Sequence, residues 1–246
     1  MRPVIDDLPR DLRSRILAHA TFAAVAVNML FWTSLMVLAS TLFPARRIHC
    51  MLRFATYTMM VLTRNDLSVR GREHLPAQGG CLLVSNHVNM FDPMFMYLAV
   101  PRYCVAIEEA SHFKWPLYGT MITRWGNIPV GGKDRALTAR SMARAADVLR
   151  AGTPVFIFPE GTRARDGRLG TFRRGAFSLA LEARVPLIPV AFRGAEKIFL
   201  EGSNMIFPGR EEIVFIPPVP LDDYGPDDAD ALSDEVRRRI LEALEA

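Results

Sequence analysis

The chain has 246 residues, half of them hydrophobic, and its formal net charge is +4, from 30 Lys and Arg against 26 Asp and Glu. This length suits one domain with a sizeable core, and the basic balance predicts an anionic partner: a membrane surface, a phosphate ester or nucleic acid. Cys50, Cys81 and Cys104 lie far apart and form no C-x-x-C pair, which excludes a disulfide framework and a zinc site of that type.

The N-terminal quarter of the chain is apolar. Residues 16–43 contain no Asp, Glu, Lys or Arg, and they exceed the ~20 residues that a helix needs to span a bilayer. A second apolar run, residues 54–62, is too short to span. Arginines flank both ends of the first run, so the charges define no orientation. We expect a helical hairpin that dips into one leaflet with both ends on the cytoplasmic side. A single spanning helix and a helix packed on the core are the alternatives.

The remainder of the chain alternates strand and helix patterns. The predicted strands are residues 67–70, 81–85, 103–107, 127–130, 155–158, 187–192 and 212–217. The predicted helices are residues 93–100, 115–125, 133–150, 171–183 and 231–244. This alternation predicts an α/β fold with a mostly parallel or mixed central sheet flanked by helices. We therefore divide the chain into a membrane-anchoring helical segment, residues 1–64, and an α/β domain, residues 65–246.

The turn between the second strand and the first helix of this domain reads N-H-V-N-M-F-D over residues 86–92. His87 lies at the carboxyl end of a predicted strand, where open α/β sheets bind ligands. Asp92 and Pro93 are suited to cap and start a helix, so the turn before them can bring the Asp92 carboxylate to the His87 ring. A carboxylate on one ring nitrogen fixes the tautomer and leaves the other nitrogen to take a proton. The alternative is structural: Asp92 only caps the helix and His87 only satisfies a buried backbone group.

A second motif, F-P-E-G-T-R, occupies residues 158–163 and follows the strand at 155–158. Gly161 allows backbone N–H groups to approach a ligand closely, and Arg163 can pair bidentately with a phosphate. A salt bridge between Glu160 and Arg163 that shapes the loop is the alternative. The positive charge continues with Arg165, Arg168, Arg173 and Arg174. We expect these arginines to contact lipid headgroups or acyl-carrier phosphates rather than only solvent.

The two motifs, in this order, resemble the glycerolipid acyltransferase family, whose members carry N-H-x-x-x-x-D and F-P-E-G-T-R. The resemblance covers about residues 66–219 and includes D-G-R at 166–168, F-R-R-G-A at 172–176 and V-P-L-I-P-V at 185–190. It implies that His87 is the general base, that Asp92 orients it, and that residues of the second motif bind a phosphorylated acceptor. These binding residues are Glu160, Gly161, Thr162 and Arg163.

One departure from the family concerns the acceptor. The family has G-x-I-x-I/V-x-R between the two motifs, and its Arg helps to hold phosphate, whereas this chain reads G-N-I-P-V-G-G with Gly132 at that position. Lys133 or Arg135 could substitute, and we include Lys133 among the predicted substrate-binding residues. Alternatively, the acceptor has a head group other than a simple glycerol phosphate.

The resemblance implies a membrane-bound O-acyltransferase that acylates lysophosphatidic acid to phosphatidic acid. The acyl donor would be acyl-CoA or acyl-carrier protein, with no bound cofactor and no metal. We expect a bacterial-type inner membrane with the catalytic domain on the cytoplasmic side. Another lysolipid acceptor, such as a lyso-ornithine lipid, and a catalytically silent lipid-binding membrane protein are the alternatives. Nucleic-acid binding is not expected, because no recognisable nucleic-acid module accompanies the basic charge.

Overall fold

The computed structural model describes residues 11–131, 135–163, 169–200 and 203–246. It begins with two packed helices, α1 (Leu12–Ala39) and α2 (Ala45–Thr63). Thr58 joins them by donating its hydroxyl to the side-chain oxygen of Asn28, at 2.9 Å, and accepting from the Trp32 indole, at 3.1 Å. Among the described helices, α1 is the one long and apolar enough to cross a membrane by length and composition. Both predicted apolar runs are therefore helical and form a hairpin, and their relation to a bilayer stays a prediction.

The hairpin lies against the rest of the protein rather than apart from it. Near the start of α1, the ring of His19 hydrogen-bonds to the Asn204 carbonyl at 3.0 Å. Near its end, the Arg124 guanidinium donates to the Val37 carbonyl at 3.0 Å. Helix α2 is held by Arg53, which donates to the Val100 carbonyl at 2.6 Å.

A seven-stranded sheet forms the centre of the domain. Its strands are β1 (Asp66–Arg70), β2 (Leu82–Ser85), β3 (Val105–Glu109), β4 (Ile128–Val130), β5 (Val155–Ile157), β6 (Leu187–Arg193) and β9 (Arg210–Phe215). The order across the sheet is β1-β9-β6-β2-β5-β3-β4. Neighbouring strands are parallel except for β6 and β9, which pair antiparallel. The predicted α/β fold with a mostly parallel sheet is confirmed, and β2, which precedes His87, lies at its centre.

Helices cover both faces of this sheet. They are α3 (Asp92–Ala99), α4 (Tyr118–Trp125), α5 (Arg135–Arg150), α6 (Gly175–Ala183) and α7 (Ala229–Glu245). Leu82 and Val84 of β2 join a core cluster with α5, α6 and α7, whereas Leu83 joins a second cluster with α3. Burial on both faces accounts for the uninterrupted apolar run of this strand.

The structure differs from the sequence prediction in several element boundaries. The helix predicted from residue 115 begins at Tyr118, because Pro116 holds the preceding Trp115 in an extended conformation, with ψ of 137°. The helix predicted from residue 171 begins at Gly175, and the Arg173 N–H in the segment before it bonds to the Pro159 carbonyl, at 2.9 Å. A short antiparallel hairpin was not predicted. Its strands are β7 (Phe199–Leu200) and β8 (Met205–Ile206).

Two of the three cysteines are core residues. Cys81 and Cys104 are buried free thiols, and Cys50 on α2 is exposed. Burial raises the pKa of Cys81 to about 11 and also raises the pKa of Cys104, so both thiols are protonated and unreactive at neutral pH.

Candidate active site

The two sequence motifs meet at one edge of the sheet. Strands β2 and β5 are parallel neighbours, with Val84 paired to Ile157. Because parallel neighbours end at the same edge, the turn after β2 and the loop after β5 emerge side by side. We call residues 86–92 the His87 turn and residues 158–163 the Glu160 loop.

His87 and Asp92 are in direct contact within the His87 turn. The His87 Nδ1 lies 2.7 Å from the Asp92 Oδ2. The side chain of Asp92 is fully buried, and that of His87 is 18% exposed. The same carboxylate oxygen accepts the backbone N–H groups of Val88, at 2.8 Å, and Asn89, at 2.9 Å. Asp92 therefore acts on the turn that precedes it, and it holds the His87 ring in a fixed orientation with Nε2 directed away from the carboxylate.

Asp92 is the first residue of α3 rather than its N-cap, which is Phe91. No side-chain cap hydrogen bond is present at this end of α3. The structural alternative, in which Asp92 only caps the helix, therefore does not describe its contacts. The predicted helix start at Pro93 was late by one residue, a difference that is ordinary at helix ends.

Two asparagines fix the position of the turn relative to β6. Asn86 exchanges two hydrogen bonds with the Phe192 backbone, at 2.9 and 2.8 Å. Asn89 donates to the Ala195 carbonyl at 2.6 Å and accepts the Phe91 N–H at 3.0 Å. The side chains of Asn86 and Asn89 are thus used within the protein, and His87 is presented between them on a rigid support.

An aromatic contact on His87 was not predicted from the sequence. The Phe158 ring stacks on the imidazole with centroids 4.2 Å apart and an interplanar angle of 22°. Together with Asp92, this contact leaves the ring little rotational freedom. The signal in the sequence was the aromatic residue that opens the Glu160 loop directly after a buried strand.

Glu160 connects the loop to the turn. One carboxylate oxygen accepts the His87 backbone N–H at 2.9 Å, and the other accepts the Gly170 N–H at 2.9 Å. Burial raises the pKa of Glu160, while these two hydrogen bonds oppose that shift. Both oxygens are engaged by backbone groups, which is a different role from the salt bridge to Arg163 considered above.

The C-terminal helix supports this connection from behind. Arg237 of α7 donates to the Leu169 carbonyl at 2.9 Å and to the Gly170 carbonyl at 3.0 Å. A continuous set of contacts therefore runs from Arg237 through Gly170 and Glu160 to the backbone of His87. The positions of these residues in the sequence did not predict this set of contacts.

The other predicted substrate-binding residues lie beside the turn or outside the described chain. Gly161 and Thr162 are exposed and Arg163 is half-buried at the same edge of the sheet. Lys133 and the neighbouring Gly132 lie outside the described residues, as do Arg165 and Arg168. In the described part of the chain, no group of three or more His, Cys, Asp or Glu side chains could hold a metal ion.

The neighbouring strand ends add a carboxylate to this edge. Glu109 ends β3, and its exposed side chain lies against Gly131, where an added Cβ would be 2.5 Å from the Glu109 Oε2. Gly131 adopts a φ of +93°, which favours glycine. The edge is therefore basic near the Glu160 loop and acidic near the end of β3.

The comparisons with known proteins agree with the fold and with the family predicted from the sequence. A model of the Acyltransferase family matches residues 66–193, more than half of the chain, and the chain belongs to this family. The predicted family is thereby confirmed. A structure of the 1-acyl-sn-glycerophosphate (LPA) acyltransferase PlsC from Thermotoga maritima has a similar fold, with a TM-score of 0.79 over 95% of this chain and 98% of that one. The two chains are 20% identical.

Curated relatives share a higher identity over a shorter span. The chain is 33% identical over 178 residues to a chloroplastic 1-acyl-sn-glycerol-3-phosphate acyltransferase, BAT2, of Brassica napus. It is 32% identical over 176 residues to 1-acyl-sn-glycerol-3-phosphate acyltransferase alpha of Ovis aries. These matches cover 72% and 71% of this chain but 50% and 61% of the relatives, so the chain spans about half to three fifths of their length.

Proposed function

We propose that this protein transfers a fatty acyl chain from a thioester donor to the free hydroxyl of lysophosphatidic acid, giving phosphatidic acid. The observation that carries the proposal is the contact between His87 Nδ1 and Asp92 Oδ2 at 2.7 Å, beside the Glu160 loop. The names of the curated relatives, 1-acyl-sn-glycerol-3-phosphate acyltransferases, support the same acceptor. The donor is acyl-CoA or acyl-carrier protein.

In the proposed reaction, His87 is the general base and Asp92 orients it. As the acceptor hydroxyl oxygen attacks the thioester carbonyl carbon, its proton passes to His87 Nε2. A carbon–oxygen bond forms, the carbon–sulfur bond breaks, and the departing thiolate recovers the proton from the imidazolium. The acceptor oxygen is itself the nucleophile, so the protein supplies no covalent intermediate and the chemistry needs no cofactor.

The Glu160 loop is proposed to position the acceptor. Gly161, Thr162 and Arg163 follow Glu160 at the sheet edge that carries His87, and Arg163 can bind phosphate bidentately. Lys133 is a further proposed contact. Glu160 contributes by fixing the backbone of His87, as its 2.9 Å hydrogen bond from the His87 N–H supports.

A second acceptor class is favoured by one observation. The exposed Glu109 carboxylate lies against Gly131, one residue from the position where the family has a phosphate-binding arginine. A carboxylate at this edge would attract an amine rather than a phosphate. A lysolipid with an amine-bearing head group, such as a lyso-ornithine lipid, is therefore the second candidate.

Purified protein and its His87→Ala variant can test the function against a panel of lysolipids with both donors. We expect lysophosphatidic acid to be the best acceptor and the variant to lose about 10²–10⁴-fold in rate while melting like the wild type. A folded variant with wild-type turnover would exclude His87 as the base. A wild type that binds lysolipids without turnover would indicate a silent lipid-binding protein.

Membrane association is proposed to occur through the helical hairpin. The exposed large apolar side chains of the described residues all lie between Leu12 and Leu62, apart from Met90, Trp115 and Leu241. An exposed apolar surface of this extent is typical of a membrane-binding region. Helix α1 bonds to the α/β domain both at His19 and at Val37, which are separated by ~27 Å along the helix. A helix that crossed the bilayer would break at least one of these contacts, whereas a one-leaflet arrangement preserves both.

Cys50 offers a direct test of this topology, because it is exposed on α2 while Cys81 and Cys104 are buried. A membrane-impermeant thiol reagent should label Cys50 only from the cytoplasmic side of bacterial inner-membrane vesicles, with Cys50→Ser as the unlabelled control. Labelling from the periplasmic side would exclude the one-leaflet hairpin and would support a spanning α1.

A further inference from the structure

Two consecutive arginines precede α6, and their surroundings differ. Arg174 is directed toward α7, where its guanidinium lies 3.4 Å from the Asp230 carboxylate and donates to the Asp227 carbonyl at 3.3 Å. The Arg173 guanidinium instead lies against Gly161 of the Glu160 loop. A Cβ added at Gly161 would lie 2.5 Å from Arg173 Nε and 2.6 Å from its Cζ.

The backbone fixes Arg173 in this place. Its N–H donates to the Pro159 carbonyl at 2.9 Å, so the residue is tied to the start of the loop rather than carried on a mobile surface segment. Gly161 has a φ of +70° and no side chain, and the planar guanidinium can therefore approach the loop backbone closely. The loop thus provides a flat support for one guanidinium group at the edge of the sheet beside His87.

In the described part of the chain, no acidic group accounts for the charge of Arg173. Its guanidinium forms no hydrogen bond or ion pair with any residue that the structure describes. The carboxylate in the adjoining loop, Glu160, is engaged by the backbone N–H groups of His87 and Gly170. The donors of the Arg173 guanidinium are therefore available to a ligand at this edge.

We propose that Arg173 binds the phosphate of the acceptor, next to Arg163, and that Gly161 is the support that positions it. This inference rests on the proposed function and adds a residue to its binding site. A guanidinium donates two parallel hydrogen bonds to phosphate, so Arg173 supplies the bidentate contact that Gly132 cannot make. The phosphate monoester of the acceptor and the phosphates of the acyl donor share this chemistry, and the proposal assigns Arg173 to the acceptor.

The test measures binding of lysophosphatidic acid, monoacylglycerol and acyl-CoA to the full chain in neutral detergent micelles. Arg173→Gln should weaken lysophosphatidic acid binding about ten- to hundred-fold, because the Gln amide can replace only one of the two hydrogen bonds of the guanidinium and one charge-assisted hydrogen bond is lost. Monoacylglycerol and acyl-CoA binding should be unchanged. Arg174→Gln is the matched control. Although the sequence predicted headgroup or carrier-phosphate contacts for both arginines, the Arg174 guanidinium is directed toward Asp230 and the Asp227 carbonyl, so this variant should bind all three ligands like the wild type. Gly161→Ala should resemble Arg173→Gln, because the added methyl group displaces the guanidinium.

Four results would overturn the assignment. They are an equal loss of lysophosphatidic acid binding in Arg173→Gln and Arg174→Gln, unchanged binding in Arg173→Gln, a loss of binding confined to acyl-CoA, and a wild type that does not prefer lysophosphatidic acid to monoacylglycerol.

Turnover measured on the same samples separates this inference from the proposed function. If the wild type bound lysophosphatidic acid through Arg173 but did not acylate it, only the proposed function would be contradicted. Turnover that is insensitive to Arg173 would contradict the inference alone.

Discussion

The His87 turn and the Glu160 loop leave neighbouring parallel strands at the same edge of the sheet, but they are held in different ways. The turn is closed by its own residues, since Asp92 accepts hydrogen bonds from residues 87, 88 and 89. The loop is held from a distance: the hydrogen bond from the His87 N–H to Glu160 joins residues 73 positions apart in the chain.

This difference separates two kinds of support for one side chain. Asp92 fixes the imidazole directly and determines which nitrogen can take a proton. Glu160 fixes the backbone on which the imidazole is carried, and Gly170 and Arg237 in turn hold Glu160 in place. Removing the first support should affect the chemical step most, whereas removing the second should alter the position of His87 by a smaller amount.

Among the residues that support His87, the largest effect is expected for Asp92→Asn. The amide oxygen of Asn can still accept the Val88 and Asn89 N–H groups, so the turn should fold. The imidazole loses its charged partner and its fixed tautomer, and kcat should fall by roughly 10³–10⁴ with little change in KM for either substrate. Steady-state kinetics and thermal unfolding of the same preparation provide the measurement.

A purely structural role for Asp92 gives a different result. In that case the activity lost by Asp92→Asn would follow the loss of folded protein, and the fraction that remains folded would turn over at the wild-type rate. Normalising kcat to the folded fraction at each temperature distinguishes the two roles.

The same contrast explains what the sequence could predict. The His87–Asp92 contact joins residues five positions apart across a turn, and turn, cap and strand preferences all act at that range. The α/β alternation was visible for the same reason, because periodicity is local. The partners of Glu160 were not visible, since they are backbone N–H groups that any residue could supply. The order of the strands, the β7–β8 hairpin and the stacking of Phe158 on His87 likewise depend on tertiary packing.

A smaller loss is expected for Glu160→Gln. Gln keeps one acceptor oxygen in place of two, so one of the two N–H groups, of His87 or of Gly170, loses its partner. The lost charge-assisted hydrogen bond is worth about 1.5–3 kcal/mol. If all of this free energy acts on the reaction through the position of His87, the rate falls about ten- to hundred-fold. We expect this loss in kcat/KM with both donors.

Gly170→Ala tests the same contact without changing the carboxylate. A Cβ at Gly170 would lie 2.8 Å from the Glu160 Oε2, so it should displace that oxygen and reproduce part of the Glu160→Gln loss. Arg237→Met, which removes only the contacts behind Gly170, should have the smallest effect of the three. If Arg237→Met were as damaging as Glu160→Gln while Gly170→Ala was silent, the proposed line of support from α7 would be wrong.

The smallest expected effect is on stability alone and concerns two adjacent carboxyl groups on β9. Glu211 is buried, and both its oxygens lack hydrogen-bond partners in the described part of the chain. Burial raises the pKa of Glu211 well above its usual value, and the charges of Asp92 and Glu196 raise it further. Glu212 points to the other face; burial acts to raise its pKa, but hydrogen bonds from Arg70 and Arg193 lower it below the usual value.

These opposite shifts predict opposite responses to amide substitution. With a raised folded-state pKa, the stability associated with Glu211 is present in full at low pH and is lost as pH rises through that pKa. Glu211→Gln resembles the neutral acid, so it should raise Tm, more at pH 8 than at pH 5, by about 2–4 °C for each 1 kcal/mol regained.

Glu212 has a lowered pKa, so its contribution to stability is present at neutral pH and is lost as pH falls through that pKa. Glu212→Gln should therefore lower Tm at pH 7 and have little effect in acid. Thermal unfolding of both variants from pH 3 to pH 8 checks the pair, and a Tm for Glu211→Gln below the wild type at pH 8 would mean that the Glu211 carboxylate is ionised and partnered.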